Sequence, residues 1–160
     1  MSMISLDQQV RRITRAIPQI AKNLRIPTLL DRAHPGLTTS QLLILLLSDE
    51  TKKAGVSMSE VAADLAVRLP TVTGLVDRLV HEGLAVRYHS DGDRRIVFVR
   101  TTPKGRAVIR RVLAVLDDLV RQVLVTTSEA ERESLALAAE RVFELSRQIR
   151  QQERALAAHA

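Results

Sequence analysis

The residues with the clearest potential for binding chemistry are arginines grouped around one charged turn. Arg94 and Arg95 follow the turn-forming run Ser90–Asp93, and Arg87 lies just before it. Guanidinium groups bind phosphate oxygens through paired hydrogen bonds, and they also enter narrow minor grooves of A·T-rich DNA, where the negative potential is high. A polyanion is therefore one candidate partner for this turn, and a solvated hairpin tip is the simpler alternative.

A second polar group lies upstream, at the start of a predicted helix. Its members are Arg68, Pro70, Thr71, Thr73, Gly74 and Arg78. Threonine can donate to bases or phosphates and offers a methyl group to thymine, while glycine permits close approach of the backbone. Such a helix start can lie in a DNA major groove, although ordinary helix-start chemistry would also explain the threonines.

Two short helices have to position this second group. Ser57 and Glu60 have the spacing of a capping box, which begins the first helix. Pro70 suits a first helical turn, so the turn between the helices is predicted at Val67–Leu69. Apolar residues at helical spacing give each helix a core-facing stripe: Val61, Ala62, Leu65 and Ala66 in the first, and Val72, Leu75, Val76, Leu79 and Val80 in the second.

A hairpin has to position the arginines. Gly83 ends the second helix, and the β-prone segments Ala85–His89 and Ile96–Val99 flank the charged turn. From Arg68 to Arg106 there are eight basic side chains against four acidic ones, a surplus of +4 within a chain of net charge +6. The sequence therefore predicts a mainly α fold with a small β-hairpin wing, a winged helix-turn-helix.

Two strings of residues resemble the MarR family of bacterial transcriptional regulators. They are T-V-T-G-L-V-D-R-L-V-H-E-G-L from Thr71 and D-R-R-I-V-F-V-R-T-T-P-K-G from Asp93 to Gly105. The similarity extends in length and helix order over essentially the whole chain and is strongest from Ser57 to Gly105. One departure is Thr101, where the family commonly has leucine; we expect it to loosen packing under the wing.

The resemblance implies a homodimer that binds a pseudo-palindromic operator in double-stranded DNA, usually as a repressor released by a small ligand or by oxidation. It also implies roles for Asp93 and Arg95, with the arginine entering the minor groove and the aspartate bracing it. Arg94 and Arg87 would meet phosphates. For a lipophilic or anionic effector, Arg25, Arg32 and His34 would offer polar contacts, although each is also typical of a solvated helix end.

The remaining segments read as helices that surround this lobe. Leu6 to Leu24 carries an apolar seam behind a Ser5–Gln8 capping box, with Pro18 expected to kink it, and Thr38–Gln41 begins a helix over Leu42–Leu47 that should be buried. After Pro103 a long helix and then a final helix capped by Ser128 follow. We expect residues 1–50 to form a dimerisation and core region, residues 51–102 the DNA-binding lobe, and residues 103–160 the C-terminal dimerisation helices.

Composition excludes several classes of function. The chain has 160 residues and no cysteine, so neither disulfides nor thiol-based sensing is available. The four histidines show no metal-ligand spacing, and neither a nucleophile–base motif nor a phosphate-binding loop is present, so we expect no metal, no cofactor and no enzyme activity. Without a signal-like or membrane-spanning segment the expected location is cytoplasmic.

Two alternatives to an effector-controlled regulator remain open. The chain could be an architectural DNA-binding protein without an effector, which would discriminate poorly between sequences. It could also be a winged-helix module for protein partners, although the basic wing argues against that.

Overall fold

The computed structural model describes residues 5–50, 55–90 and 92–157, so Asp91 of the predicted turn lies outside the described residues. The chain divides into two compact units, the first ending at Val115 and the second beginning at Leu116. The elements are α1 (Leu6–Leu24), α2 (Ile26–Ala33), α3 (Thr39–Glu50), β1 (Val56–Ser57), α4 (Met58–Asp64), α5 (Leu69–His81), β2 (Ala85–His89), β3 (Val97–Thr101), α6 (Pro103–Leu124) and α7 (Glu129–Ala157). This order confirms a mainly helical fold with a small sheet.

Capping boxes begin the helices where the sequence predicts them. In α1 the Gln8 amide donates to Ser5 Oγ at 3.3 Å, and the Ser5 amide donates to Gln8 Oε1 at 3.1 Å. The same reciprocal pair joins Ser57 and Glu60 before α4, with distances of 2.8 and 3.2 Å. Each box satisfies backbone N–H groups that have no acceptor within the helix, and so fixes where the helix starts.

Helix α1 has the predicted bounds, Leu6–Leu24, and a short helix that the sequence did not predict, α2, follows it directly. Pro18 lies inside α1, and the chain leaves the helix at Arg25, whose φ of 46° is left-handed. Pro27 then occupies the first turn of α2, where its missing N–H costs no helical hydrogen bond. Helix α2 has eight residues, about two turns, which is too short for a clear helical period in the sequence.

The turn between α4 and α5 comes earlier than predicted. Leu65 ends α4, Ala66 takes a left-handed φ of 51°, and Leu69 already belongs to α5, with Arg68 as its N-cap. Pro70 is therefore preceded by one helical residue, which the free N–H groups of a first turn permit. Ala66 is exposed and does not face the core, and Val80 is likewise exposed.

The wing is a three-stranded antiparallel sheet with the order β1-β3-β2. Val56 pairs with Val99, and Tyr88 pairs with Phe98. The sequence predicted only the two long strands, since a two-residue strand such as β1 leaves no periodic signal. Gly55 leads into it with a φ of 67°, and a Cβ there would lie 2.5 Å from the Val99 carbonyl oxygen, so only glycine fits.

The core of the first unit is aliphatic. Its fully buried side chains come from α3, α4, α5, β3, α6 and the segment before β2, and include Ile44, Leu45, Val61, Val72, Val76, Leu79, Leu84, Val99 and Val108. Helix α3 is buried at its centre as predicted, although Leu43 is partly exposed.

A buried hydroxyl pair joins α3 to the wing. Thr101 Oγ1 donates to the Leu45 carbonyl oxygen at 2.9 Å and lies 2.6 Å from Ser48 Oγ. Both side chains are buried. The expectation that Thr101 loosens packing is therefore wrong, because a serine in α3 supplies the polar partner that a threonine requires there.

The second unit contains the end of α6 and the whole of α7. The Ser128 amide and hydroxyl both donate to Glu131 Oε2, and these bonds lower the pKa of the Glu131 carboxyl. All described side chains of α7 are exposed. Within residues 5–50, 55–90 and 92–157, no helix has the length and apolar character needed to cross a membrane.

Candidate nucleic-acid interface

Helix α5 presents one polar side to solvent. Val72, Val76 and Leu79 are buried, and this fixes the rotation of the helix. Thr71, Gly74 and Arg78 consequently lie on the exposed side, together with Arg68 and Pro70 at the start of the helix. The sequence-predicted residues of α5 therefore share an accessible surface.

Thr73 is the exception within this group. Its side chain is half-buried, and its hydroxyl donates to the Leu69 carbonyl oxygen at 3.0 Å, one turn back along the helix. The hydroxyl proton is thus used within α5. What Thr73 can offer a ligand is its methyl group and the oxygen lone pairs.

The tip of the wing is held by local hydrogen bonds. The Arg95 amide donates to Asp93 Oδ1 at 2.9 Å, and the Arg95 Nε lies 3.9 Å from the same oxygen. His89 Nδ1 lies 2.7 Å from the Arg94 carbonyl oxygen across the turn. The Arg95 side chain nevertheless remains 95% exposed, so the turn is fixed while its guanidinium is free to meet a ligand.

A crevice of about 320 Å³ separates the wing from the start of α4 and α5. Alternation along β2 places Arg87 and His89 on the same face of the strand, and this face lines the crevice. The full lining is Ser57, Met58, Ser59, Leu69, Thr73, Arg87, His89, Arg95, Ile96 and Val97. The structure therefore brings Thr73, Arg87 and Arg95 together, while Arg68, Thr71, Gly74 and Arg78 lie outside this lining.

Arg87 differs from Arg94 and Arg95 because its acidic partner lies on another element. Its Nη2 donates to Asp77 Oδ1 at 2.8 Å, which links β2 to the middle of α5. This role of Asp77 was not predicted from the sequence. Its position one helical turn after Thr73 was the available signal, since residues four apart lie on one face of a helix.

The three candidate effector contacts occupy the two ends of α2. Arg25 and Arg32 are exposed, whereas His34, at the C-cap, is half-buried. His34 Nδ1 lies 3.1 Å from the Pro35 carbonyl oxygen, and its Nε2 lies 3.7 Å from Glu82 Oε2. Since Glu82 is the C-cap of α5, His34 connects α2 to the end of that helix.

Around these surfaces, and throughout the part of the chain that the structure describes, there is no cluster of three or more histidine, aspartate or glutamate side chains that could hold a metal ion.

Comparisons with known proteins agree with this architecture. Residues 37–97 match the MarR family. The HTH-type transcriptional repressor MdtR of Bacillus subtilis (strain 168) is 27% identical over 129 residues, which is 81% of this chain and 82% of MdtR.

Among solved structures, the transcriptional regulator BldR from Sulfolobus solfataricus is 28% identical with a TM-score of 0.61, over 90% of this chain and 99% of BldR. Streptococcus pneumoniae FabT in complex with DNA shares the fold, with 22% identity and a TM-score of 0.66 over 88% of this chain and 99% of FabT. MdtR and BldR are named as transcription regulators, in agreement with the expectation that the chain is not an enzyme.

Proposed function

We propose that this chain, whose residues 37–97 match the MarR family, is a homodimeric, sequence-specific DNA-binding regulator that reads an inverted-repeat operator. The observation that carries the proposal is the pairing of two accessible surfaces in one lobe. Arg95 of the wing lines the same crevice as Leu69 and Thr73 of the first helical turn of α5, and the exposed residues Arg68, Thr71 and Gly74 lie beside that turn in sequence. Such a pair suits a helix in the major groove and a wing in the adjacent minor groove.

The proposed DNA contacts fall into three groups: the major groove, the minor groove and the phosphates. Arg68, Thr71, Gly74 and Arg78 would face the major groove from α5, where Pro70 and Thr73 contribute shape and apolar surface. Arg95 would enter the minor groove with Asp93 holding its backbone, and Arg94 would meet a phosphate. The Arg87 guanidinium could contact a phosphate only while it also pairs with Asp77, so we propose that it acts mainly by fixing the wing against α5.

A second copy of the chain is the natural cover for the exposed apolar side chains of the terminal helices. On α1 these are Leu6, Val10, Ile13, Ile17 and Ile20, each more than half exposed. Exposed side chains of α7 include Val142, Phe143, Leu145 and Ile149. Covering such a side chain fully is worth about 1.5–3 kcal/mol, so seams of this size favour association. We therefore assign residues 1–50 and 103–160 to dimerisation and core and residues 51–102 to DNA binding.

The dimer determines the form of the operator. Twofold symmetry places two copies of α5 in successive major grooves, so the half-sites should be inverted and centred about 10 base pairs apart. Selection of bound duplexes from a random pool tests this directly, with sedimentation to show twice the 17.8 kDa of one chain. Recovery of an inverted repeat supports the proposal, whereas binding without sequence preference would favour an architectural protein.

We propose repression relieved by a small lipophilic or anionic effector as the mode of control. An anion that pairs with His34, with Arg25 and Arg32 contributing charge, would compete with Glu82 and so disturb the C-cap of α5. Titrating the protein–operator complex with benzoate-type acids tests this. Release from wild type that is weakened in His34→Ala supports it, and equal release from both variants assigns the effector to another part of the chain.

A further inference from the structure

Helix α1 carries a basic stripe on the side opposite to its apolar seam. Positions 8, 11, 12, 15, 19, 22 and 23 follow one face at helical spacing and hold Gln8, Arg11, Arg12, Arg15, Gln19, Lys22 and Asn23. Four of these seven residues are cationic and none is acidic. The stripe is about 22 Å long at about 1.5 Å per residue, which is the length of about six to seven base pairs of duplex.

The cations of the stripe are unpaired among the described residues. No ion pair or hydrogen bond joins the side chains of Arg11, Arg12, Arg15 or Lys22 to another described residue, and all four are exposed. Asp7, the acidic residue of α1, lies about a quarter of a turn from the stripe. Gln8, Arg11, Arg12 and Arg15 surround a shallow depression of about 400 Å³.

Several arginines of the other long helices, in contrast, have acidic partners. In the second unit Arg121 pairs with Asp117 at 2.9 Å, and Arg147 pairs with Glu144 at 3.6 Å. Acidic and basic residues also alternate along α7. The first half of α6 also lacks acidic residues, but Lys104 and Arg106 there contact the Glu82 carbonyl oxygen and Asp49. The row of four cations on α1 differs from it because none of the four has such a contact among the described residues.

We infer that the basic stripe of α1 is a second nucleic-acid surface, which binds the phosphate backbone of a duplex independently of α5 and the wing. The inference rests on the proposed function in one respect: when a partner subunit covers the apolar seam, the stripe on the opposite side stays in solvent. Three of its four cations are arginines, whose planar forks match phosphate oxygens. Binding through phosphates alone requires no base sequence.

An anionic lipid surface fits the stripe less well. A helix at a membrane interface buries its apolar face among the acyl chains and keeps its cations at the level of the headgroups. In α1 the arginines lie opposite to Ile13 and Ile17, so they would point away from a membrane that took up the seam.

The test asks whether one protein dimer holds two duplexes. The first is a duplex of about 24 base pairs selected from a random pool by the wild-type protein, and the second is an unrelated duplex with a different fluorophore. Sedimentation at about 100 mM salt, where phosphate contacts are strong, reports whether both travel with the protein. The triple variant Arg11→Gln, Arg12→Gln, Arg15→Gln is compared with a matched control, Arg141→Gln, Arg147→Gln, Arg150→Gln, which removes the same charge from α7.

The expected result is that wild type and the α7 control carry both duplexes, while the α1 variant carries the first with unchanged affinity and binds the second at least about tenfold more weakly. Retention of the second duplex by the α1 variant overturns the inference, and so does its loss from both variants. Binding to vesicles with 30% anionic lipid that depends on the stripe, without capture of a second duplex, would reassign the surface to lipid. Failure of wild type to bind the first duplex would instead count against the proposed function. The stripe would then be tested by comparing how strongly wild type and the α1 variant bind the second duplex alone.

Discussion

Replacement of Arg95 by alanine is the most direct test of the wing. The side chain is 95% exposed, and Asp93 accepts the backbone amide of Arg95, a bond that the alanine variant keeps. Folding stability should therefore change by less than about 0.5 kcal/mol. Binding should change much more, because a dimer loses two guanidinium groups from the DNA.

The size of the loss follows from the number of contacts. A specific contact between arginine and DNA is worth about 1–3 kcal/mol, so two of them correspond to at least about 2 kcal/mol. Since about 1.4 kcal/mol is a tenfold change, operator affinity should fall at least about 30-fold. Fluorescence anisotropy with a selected operator duplex at about 150 mM salt measures this, with thermal unfolding to verify the fold.

Two further variants distinguish the proposed minor-groove contact of Arg95 from a phosphate contact and from a residue outside the interface. Arg110→Ala removes an exposed arginine from α6, outside the proposed interface, and should bind like wild type. Arg94→Ala should weaken operator and random duplexes alike, because a phosphate contact carries no sequence information. If Arg95→Ala bound the operator as tightly as wild type and as Arg110→Ala, the assignment of the wing to the minor groove would be refuted.

Three other predictions concern packing and assembly. Gly105→Ala should lower stability by about 3 kcal/mol in denaturant unfolding, because its Cβ would meet the Leu84 carbonyl oxygen and lie 2.7 Å from the Thr101 Cγ2; unchanged unfolding would contradict the close approach of α6. Thr101→Val keeps the shape but removes the hydroxyl that lies against Ser48, so stability should fall by about 1–3 kcal/mol; this loss should be smaller when Ser48 is already alanine, although the bond from Thr101 to the Leu45 carbonyl oxygen is still lost there. Ile13→Asp places a charge in the α1 seam and should shift sedimentation toward the monomer. If the variant dimerised as strongly as wild type, the assignment of α1 to the dimer interface would be wrong.

Much of the winged-helix region was readable from sequence because its signals are local. Capping boxes act over three residues, so Ser57 with Glu60 fixed the start of α4 without any tertiary information. The alternation and turn chemistry of the wing likewise gave both long strands to within two residues at each end. The strand β1 and the division between α1 and α2 escaped, because neither a two-residue strand nor a single left-handed residue alters the hydrophobic period.

The partners of side chains were the part that sequence could not supply. Ser48 and Thr101 are separated by 53 positions, and Arg87 and Asp77 by ten, so only the packing of α3 and α5 against the wing brings them into contact. The same packing gives Arg87 an acidic partner on α5, whereas Arg95 lies 3.9 Å from Asp93 of its own turn and stays 95% exposed.

By itself, the sequence determined the element types, the helix starts and the basic character of the turn, because propensity, capping and charge depend on neighbouring residues. The tertiary structure decided which of these charges remain available to a ligand. Whether a charged side chain is available depends on which residues of neighbouring elements face it. The packing of the core, and not the position of the residue along the chain, sets which residues these are.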